Sequence, residues 1–216
     1  MKAKLFLMLA LSAAGVSATA QAAKFTRSTG HKSAPSPQLW GFTLGQPPTL
    51  ITCPTTRDGL FNSRSWSPTL DSTCMESPTH ADTSADGRAK TLPVHFSRAE
   101  EPALAPSVHP RGFALLILDG TVQGVLVRTS GLDSQKAVYA MLRQKYGVPT
   151  SVARARGRNG TTGKAADGIS ASWTMADLKV NFEGIGATTG EGTLFIATAS
   201  AFEHAMKSPS APSMPE

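Results

Sequence analysis

The chain has 216 residues, 40% of them hydrophobic and 17% charged, a length that suits one domain with flexible ends. Its net charge of +6 is too mild to demand a nucleic-acid partner, though it permits contact with anionic surfaces such as lipid headgroups.

The first 22 residues follow the pattern of a secretory signal peptide. Lys2 and Lys4 give a positive start, Leu5 to Val16 (LFLMLALSAAGV) an apolar run, and Ala20-Gln21-Ala22 a small-x-small cleavage motif. Cleavage is expected after Ala22. The run is shorter than the roughly 20 residues a spanning helix needs, and the first cysteine, Cys53, lies too far along to be a lipidation site. The expected location is periplasmic or secreted, with no transmembrane segment in the mature chain and no nucleic acid as partner. Removing two lysines and no acidic residue leaves a mature charge of +4.

Residues 23–38 lack apolar periodicity and are rich in Ser, Pro and Lys; they read as a disordered leader. The segment 208–216, SPSAPSMPE, reads as a disordered tail. Between them a single domain over 39–207 is expected, with irregular stretches at 75–91 and 98–111. Cys53 and Cys74 form an even pair in an exported chain, so one disulfide is expected. It would staple the loop insertion PTTRDGLFNSRSWSPTLDST. A redox or metal pair would need closer spacing or a histidine beside a cysteine.

GFALLILDGTVQGVLVRT, residues 112–129, predicts a hairpin turning at Asp119-Gly120. Phe113 to Leu118 is apolar at every position, as in a central strand packed on both faces. A helix is expected over 132–146, with Ser130 or Asp133 as its N-cap. Ala137, Val138, Met141 and Leu142 fall on one helical face, and Gly147 with Pro149 stops the helix. Strands follow at Ile169 to Met175, Leu178 to Glu183 and Thr193 to Ser200. The expected fold class is α+β: an antiparallel sheet, made of the hairpin and a C-terminal β-meander, with one main helix packed on a face.

The punctuation L-x-x-K-Y-G-x-P-T at 142–150, followed by strands carrying A-x-W and V-x-F, resembles small exported bacterial modules of the BamE/SmpA and β-lactamase-inhibitor-like group. The resemblance spans roughly residues 112–200. It implies helices on a small antiparallel sheet and a role in binding proteins.

Catalytic motifs are wanting. GRNGTTGKA, 157–165, has Arg158 where a phosphate loop needs Gly and Ala165 where it needs Ser or Thr. No GxSxG elbow is present. His31, His80, His95, His109 and His204 show no i, i+4 pair, so neither a metal site nor a cofactor is expected. The distinctive surface feature is VARARGR. Arg154, Arg156 and Arg158 alternate, so in a strand they share one face, and Lys164 follows in the next loop. Arginine forks suit carboxylate or phosphate, while charge on an edge strand also deters aggregation. The expected function is a non-enzymatic binding module of the envelope, whose partner is an envelope protein or anionic surface component. The alternative is an exported hydrolase with dispersed catalytic residues.

Overall fold

Asp119 and Gly120 both take positive φ, 50° and 79°, as a two-residue hairpin turn requires. Around them fold the two central strands of the protein. A computed structural model describes residues 37–54, 56–57, 64–65, 72–78, 83–84, 86–97, 108–158, 163, 165–186 and 188–207. All lie within one compact unit, Pro35–Glu216.

In chain order the early strands are β1 (Gln38–Leu39), β2 (Phe42–Thr43), β3 (Ile51–Thr52), β4 (Thr56–Arg57), β5 (Arg64–Ser65) and β6 (Cys74–Met75). Next come β7 (Ala89–His95), β8 (Val108–Leu118), β9 (Thr121–Thr129) and helix α1 (Gly131–Tyr146). Strands β10 (Ser151–Arg158), β11 (Ala165–Thr174), β12 (Leu178–Glu183) and β13 (Gly192–Thr198) precede helix α2 (Ala199–Lys207). Nine strands form one sheet in the order β10-β11-β12-β13-β9-β8-β7-β6-β3.

Alternation along each strand divides the core between two faces. One line of register partners crosses the sheet from Val152 through Ala171, Phe182, Leu194 and Val127 to Phe113. From Ala171 onward these side chains are buried with Val138 and Leu142 of α1 and with Leu39 and Phe42 of the β1–β2 hairpin. The neighbouring positions, Ala114, Leu116, Leu126, Phe195 and Ala197, face the other way and pack with Ala201 and Ala205 of α2. Thus β8, flanked by β9 and β7, is buried on both faces, which is why its sequence shows no polar alternation.

Local chemistry fixes α1. Its apolar face buries Val138 and Leu142, whereas Ala137 is exposed and Met141 half-buried. Ser130 occupies the N-cap position but makes no side-chain cap bond. The Leu132 amide instead donates to the Thr189 carbonyl at 2.8 Å. Gln135, almost fully buried, accepts the Ile169 amide at 2.8 Å and ties the helix to β11. At the other end Gly147 has φ 79°; its amide returns to the Arg143 carbonyl, and its carbonyl accepts the Trp173 indole at 3.0 Å.

The structure corrects the expected fold class in three respects. The described residues are predominantly β, their sheet is mixed, and they include two helices. The helix missing from the sequence reading is α2. The sequence pattern predicts strand through Ser200, but the strand ends at Thr198, whose hydroxyl accepts the Ala201 amide at 3.4 Å as an N-cap. Helix α2 buries two alanines and stacks Phe202 on Phe195, with centroids 5.1 Å apart. At nine residues the helix is shorter than the roughly 11–18-residue window over which helical periodicity is read.

The mixed character comes from the edge where β3 runs parallel to β6. Parallel neighbours need a long crossover, and the segment between Cys53 and Cys74 supplies it; the expected loop insertion is this connection. The disulfide joins the two cysteines, with Cα atoms 4.9 Å apart. Further ordered structure lies in stretches expected to be irregular: β6 begins at Cys74, β7 at Ala89 and β8 at Val108. Gln38, at the end of the expected leader, already pairs with Thr43. The signal segment with Ala22 and the tail 208–216 lie outside the described residues.

Candidate functional site

The basic segment forms an edge. Strand β10 pairs with β11 along its whole length, from Ser151 opposite Ser172 to Arg158 opposite Ala165. Among the described residues it has no second neighbour. Arg154 stands opposite Ile169 and Arg156 opposite Asp167. Both therefore project from the face that carries α1, beyond the area the helix covers. Arg154 and Arg156 are exposed, and Val152 on the same face is 57% exposed. Neither arginine has a carboxylate partner among the described residues, although five ion pairs form elsewhere.

Glycine explains how so exposed a strand is held. On the opposite face, Gly157 of β10 and Gly168 of β11 lie beneath the buried side chain of Ile185. A Cβ at Gly157 would stand 2.9 Å from Ile185 Cδ1, and one at Gly168 2.7 Å. Glycine inside a strand marks such a close approach. The glycine of VARARGR is thus a packing residue, whereas Arg156 beside it is exposed.

Further positive charge lies on the arginine face. Tyr139 of α1 packs against Trp173 at 6.2 Å, and the Arg143 guanidinium sits 6.0 Å over the Tyr139 ring. Toward the end of α1, burial pushes the Tyr146 hydroxyl up to about 12. That hydroxyl is buried with no hydrogen-bond partner among the described residues.

The structure thus brings Arg154 and Arg156 together. Arg158 completes the strand, but its side chain, like the whole of Lys164, lies outside the described residues. Cys53 and Cys74 meet near the opposite edge of the sheet. His31 and His80 lie outside the described residues, and His109 falls within β8. His204 Nε2 is 3.5 Å from Asp86.

His95 shows what the sequence reading missed. It stands opposite Cys74 in the ladder and is 5% exposed, with Nε2 at 2.5 Å from Glu76 Oε1. Nearby, the buried Ser97 donates its amide to the Thr73 hydroxyl at 3.0 Å. Glu76 lies 19 residues before His95, in a stretch whose sequence shows no strand periodicity, so only the β6–β7 pairing reveals the contact. A cleft of about 350 Å³ is lined by Phe42, Gln46, Pro47, Pro48 and Val122 among others. Among the described residues its lining contains no histidine or carboxylate. No group of three or more His, Cys, Asp or Glu residues is placed to hold a metal among the described residues.

The chain matches no protein-family model, no curated protein and no solved structure.

Proposed function

We propose that this chain is an exported, non-enzymatic binding module whose basic sheet edge engages an acidic partner in the envelope. The observation that carries the reading is the pair Arg154 and Arg156. They are exposed, share one face of an edge strand and have no carboxylate partner among the described residues. Unpaired arginine forks are suited to bidentate carboxylate recognition. The amino-terminal signal pattern and the Cys53–Cys74 disulfide support export. No helix among the described residues is long and apolar enough to cross a membrane, which is compatible with that location. The resemblance in punctuation to the BamE/SmpA-like group supports a protein as the partner.

The test is a variant with Arg154, Arg156 and Arg158 all changed to Gln. Surface changes shift stability by within about 0.5 kcal/mol, so the thermal midpoint should hold. Recovery of the partner from envelope extract should fall, and wild-type recovery should fall with added salt. Unchanged recovery together with increased light scattering would assign the arginines to edge protection instead.

A second reading, the exported hydrolase, draws on one observation: the Glu76 carboxylate orients His95, and Ser97 lies two residues on. A carboxylate–histidine pair near a serine resembles part of a nucleophilic triad. The burial of both His95 and Ser97 favours a structural brace beside the disulfide. Labelling by a serine-directed phosphonate, lost in Ser97→Ala, would carry the hydrolase.

A further inference from the structure

We infer that the partner binds β10 by strand addition: an extended acidic peptide pairs its backbone with the edge that no described strand occupies and sets alternate carboxylates against Arg154 and Arg156. The inference rests on the basic edge being the binding surface, and names how that surface works and what it takes.

Backbone geometry comes first. All eight residues of β10 have register partners on β11. In a strand paired on one side, alternate N–H and C=O groups point away from the sheet. Among the described residues no element pairs with those outward groups. The strand is accessible as well: Ser151, Val152, Ala153, Arg154 and Arg156 are all exposed. Gly157, pinned under Ile185, holds the far end of the strand to the sheet. The edge is thus extended before any partner arrives, and preorganisation lowers the cost of binding.

Charge then selects the occupant. Same-face residues two apart in a strand are separated by roughly 6.5–7 Å. A partner strand with acidic residues at alternate positions repeats that interval, so two ion pairs form in register. A lipid headgroup plane would match charges spread over a surface, whereas these arginines lie in a line along a backbone edge. A second copy of this chain is the other ready source of an extended strand. Antiparallel pairing of two β10 edges about a two-fold axis keeps the same faces together. It sets Arg154 and Arg156 of one copy against those of the other, and like charges across a ladder are destabilising. The same arginines that repel a second copy attract an acidic strand. The Arg143 guanidinium adds a third positive group on that face, inward of the edge.

The probe is an acetylated and amidated peptide, (Glu-Thr)4. Two further forms carry N-methyl groups, one on every Glu and the other on every Thr. Binding to the full exported chain is read by fluorescence anisotropy, and amide exchange across residues 151–158 is followed in the same complexes. In strand addition only one alternate set of peptide N–H groups faces β10. One methylated form should therefore bind at least about tenfold more weakly, equivalent to losing roughly two backbone hydrogen bonds. The other should bind like the parent, and β10 amides should become protected. Equal binding by all three forms without protection, but weakened by R154Q/R156Q, would overturn strand addition and leave the basic edge as a charge-only site. No binding of the parent peptide, or binding indifferent to R154Q/R156Q, would overturn the basic-edge reading itself. Binding to phosphatidylglycerol vesicles without peptide binding would replace the acidic strand with a membrane surface.

Discussion

Gly168→Ala provides a stringent test of how the exposed strand is held. The added Cβ would stand 2.7 Å from Ile185 Cδ1 and closer still to Cγ1, and Ile185 is only 2% exposed. With little room to withdraw, the side chain or the β10–β11 ladder must shift. Overpacking of this kind costs about 1–3 kcal/mol. Lower chain entropy in the unfolded state returns about 0.4–1 kcal/mol, leaving a net loss of about 1–2 kcal/mol. Ile185→Ala alone should cost about 2–5 kcal/mol through the cavity it leaves. It also removes the atoms the new methyl would meet. In that background Gly168→Ala should be neutral or slightly stabilising, which gives a coupling of about 1–2 kcal/mol between the two sites. Equilibrium urea unfolding of the four proteins measures this directly. Each kcal/mol should also appear as roughly 2–4 °C in the thermal midpoint for a chain of this size. An equal cost for Gly168→Ala with and without Ile185 would refute the packing account.

Thiol titration of the unfolded, unreduced protein should find no free cysteine, and Cys53→Ala should lower stability by about 2–5 kcal/mol by releasing the β3–β6 crossover. Gly147→Ala should cost about 1–3 kcal/mol for conformational reasons alone, because φ is 79° and an added Cβ would meet nothing within 4 Å. Tyr146→Phe removes a buried hydroxyl that has no partner among the described residues, so at neutral pH it should be neutral or stabilising. Its alkaline behaviour should differ from wild type. The Tyr146 hydroxyl is raised from 10 to about 12 by burial, so its contribution is fully present below pH 10 and lost as pH rises toward 12. Urea midpoints at pH 9 and pH 11 should therefore fall further in wild type than in the Phe variant; equal falls would contradict the assignment.

Elements whose signals are local were legible in the sequence. Asp119-Gly120 dictated the hairpin, and the all-apolar Phe113 to Leu118 marked a strand buried on both faces. Gly147 marked the end of α1, and an even pair of cysteines marked the disulfide. Other features depend on contacts distant in sequence. The parallel β3–β6 pair arises because a polar crossover closed by a disulfide places two short strands side by side. Neither two-residue strand has enough periodicity to declare itself. Helix α2 was hidden because Thr198 serves both as the last strand residue and as a cap, and because the helix is only nine residues long. The shared face of Arg154 and Arg156 followed from alternation alone. That Gly157, next to Arg156, is pinned by Ile185, 28 positions along the chain, needed the structure. So did the contact between Glu76 and His95.

The most direct test of the central claim is the affinity of a labelled (Glu-Thr)4 peptide for wild type and for R154Q/R156Q at about 50 mM and 300 mM salt, where the screening length falls from roughly 14 Å to roughly 6 Å. The basic-edge account predicts binding by wild type that weakens as salt rises. It also predicts that the variant binds at least about tenfold more weakly at low salt, with both proteins unfolding at the same temperature. Equal affinities for the two proteins at low salt would contradict the account.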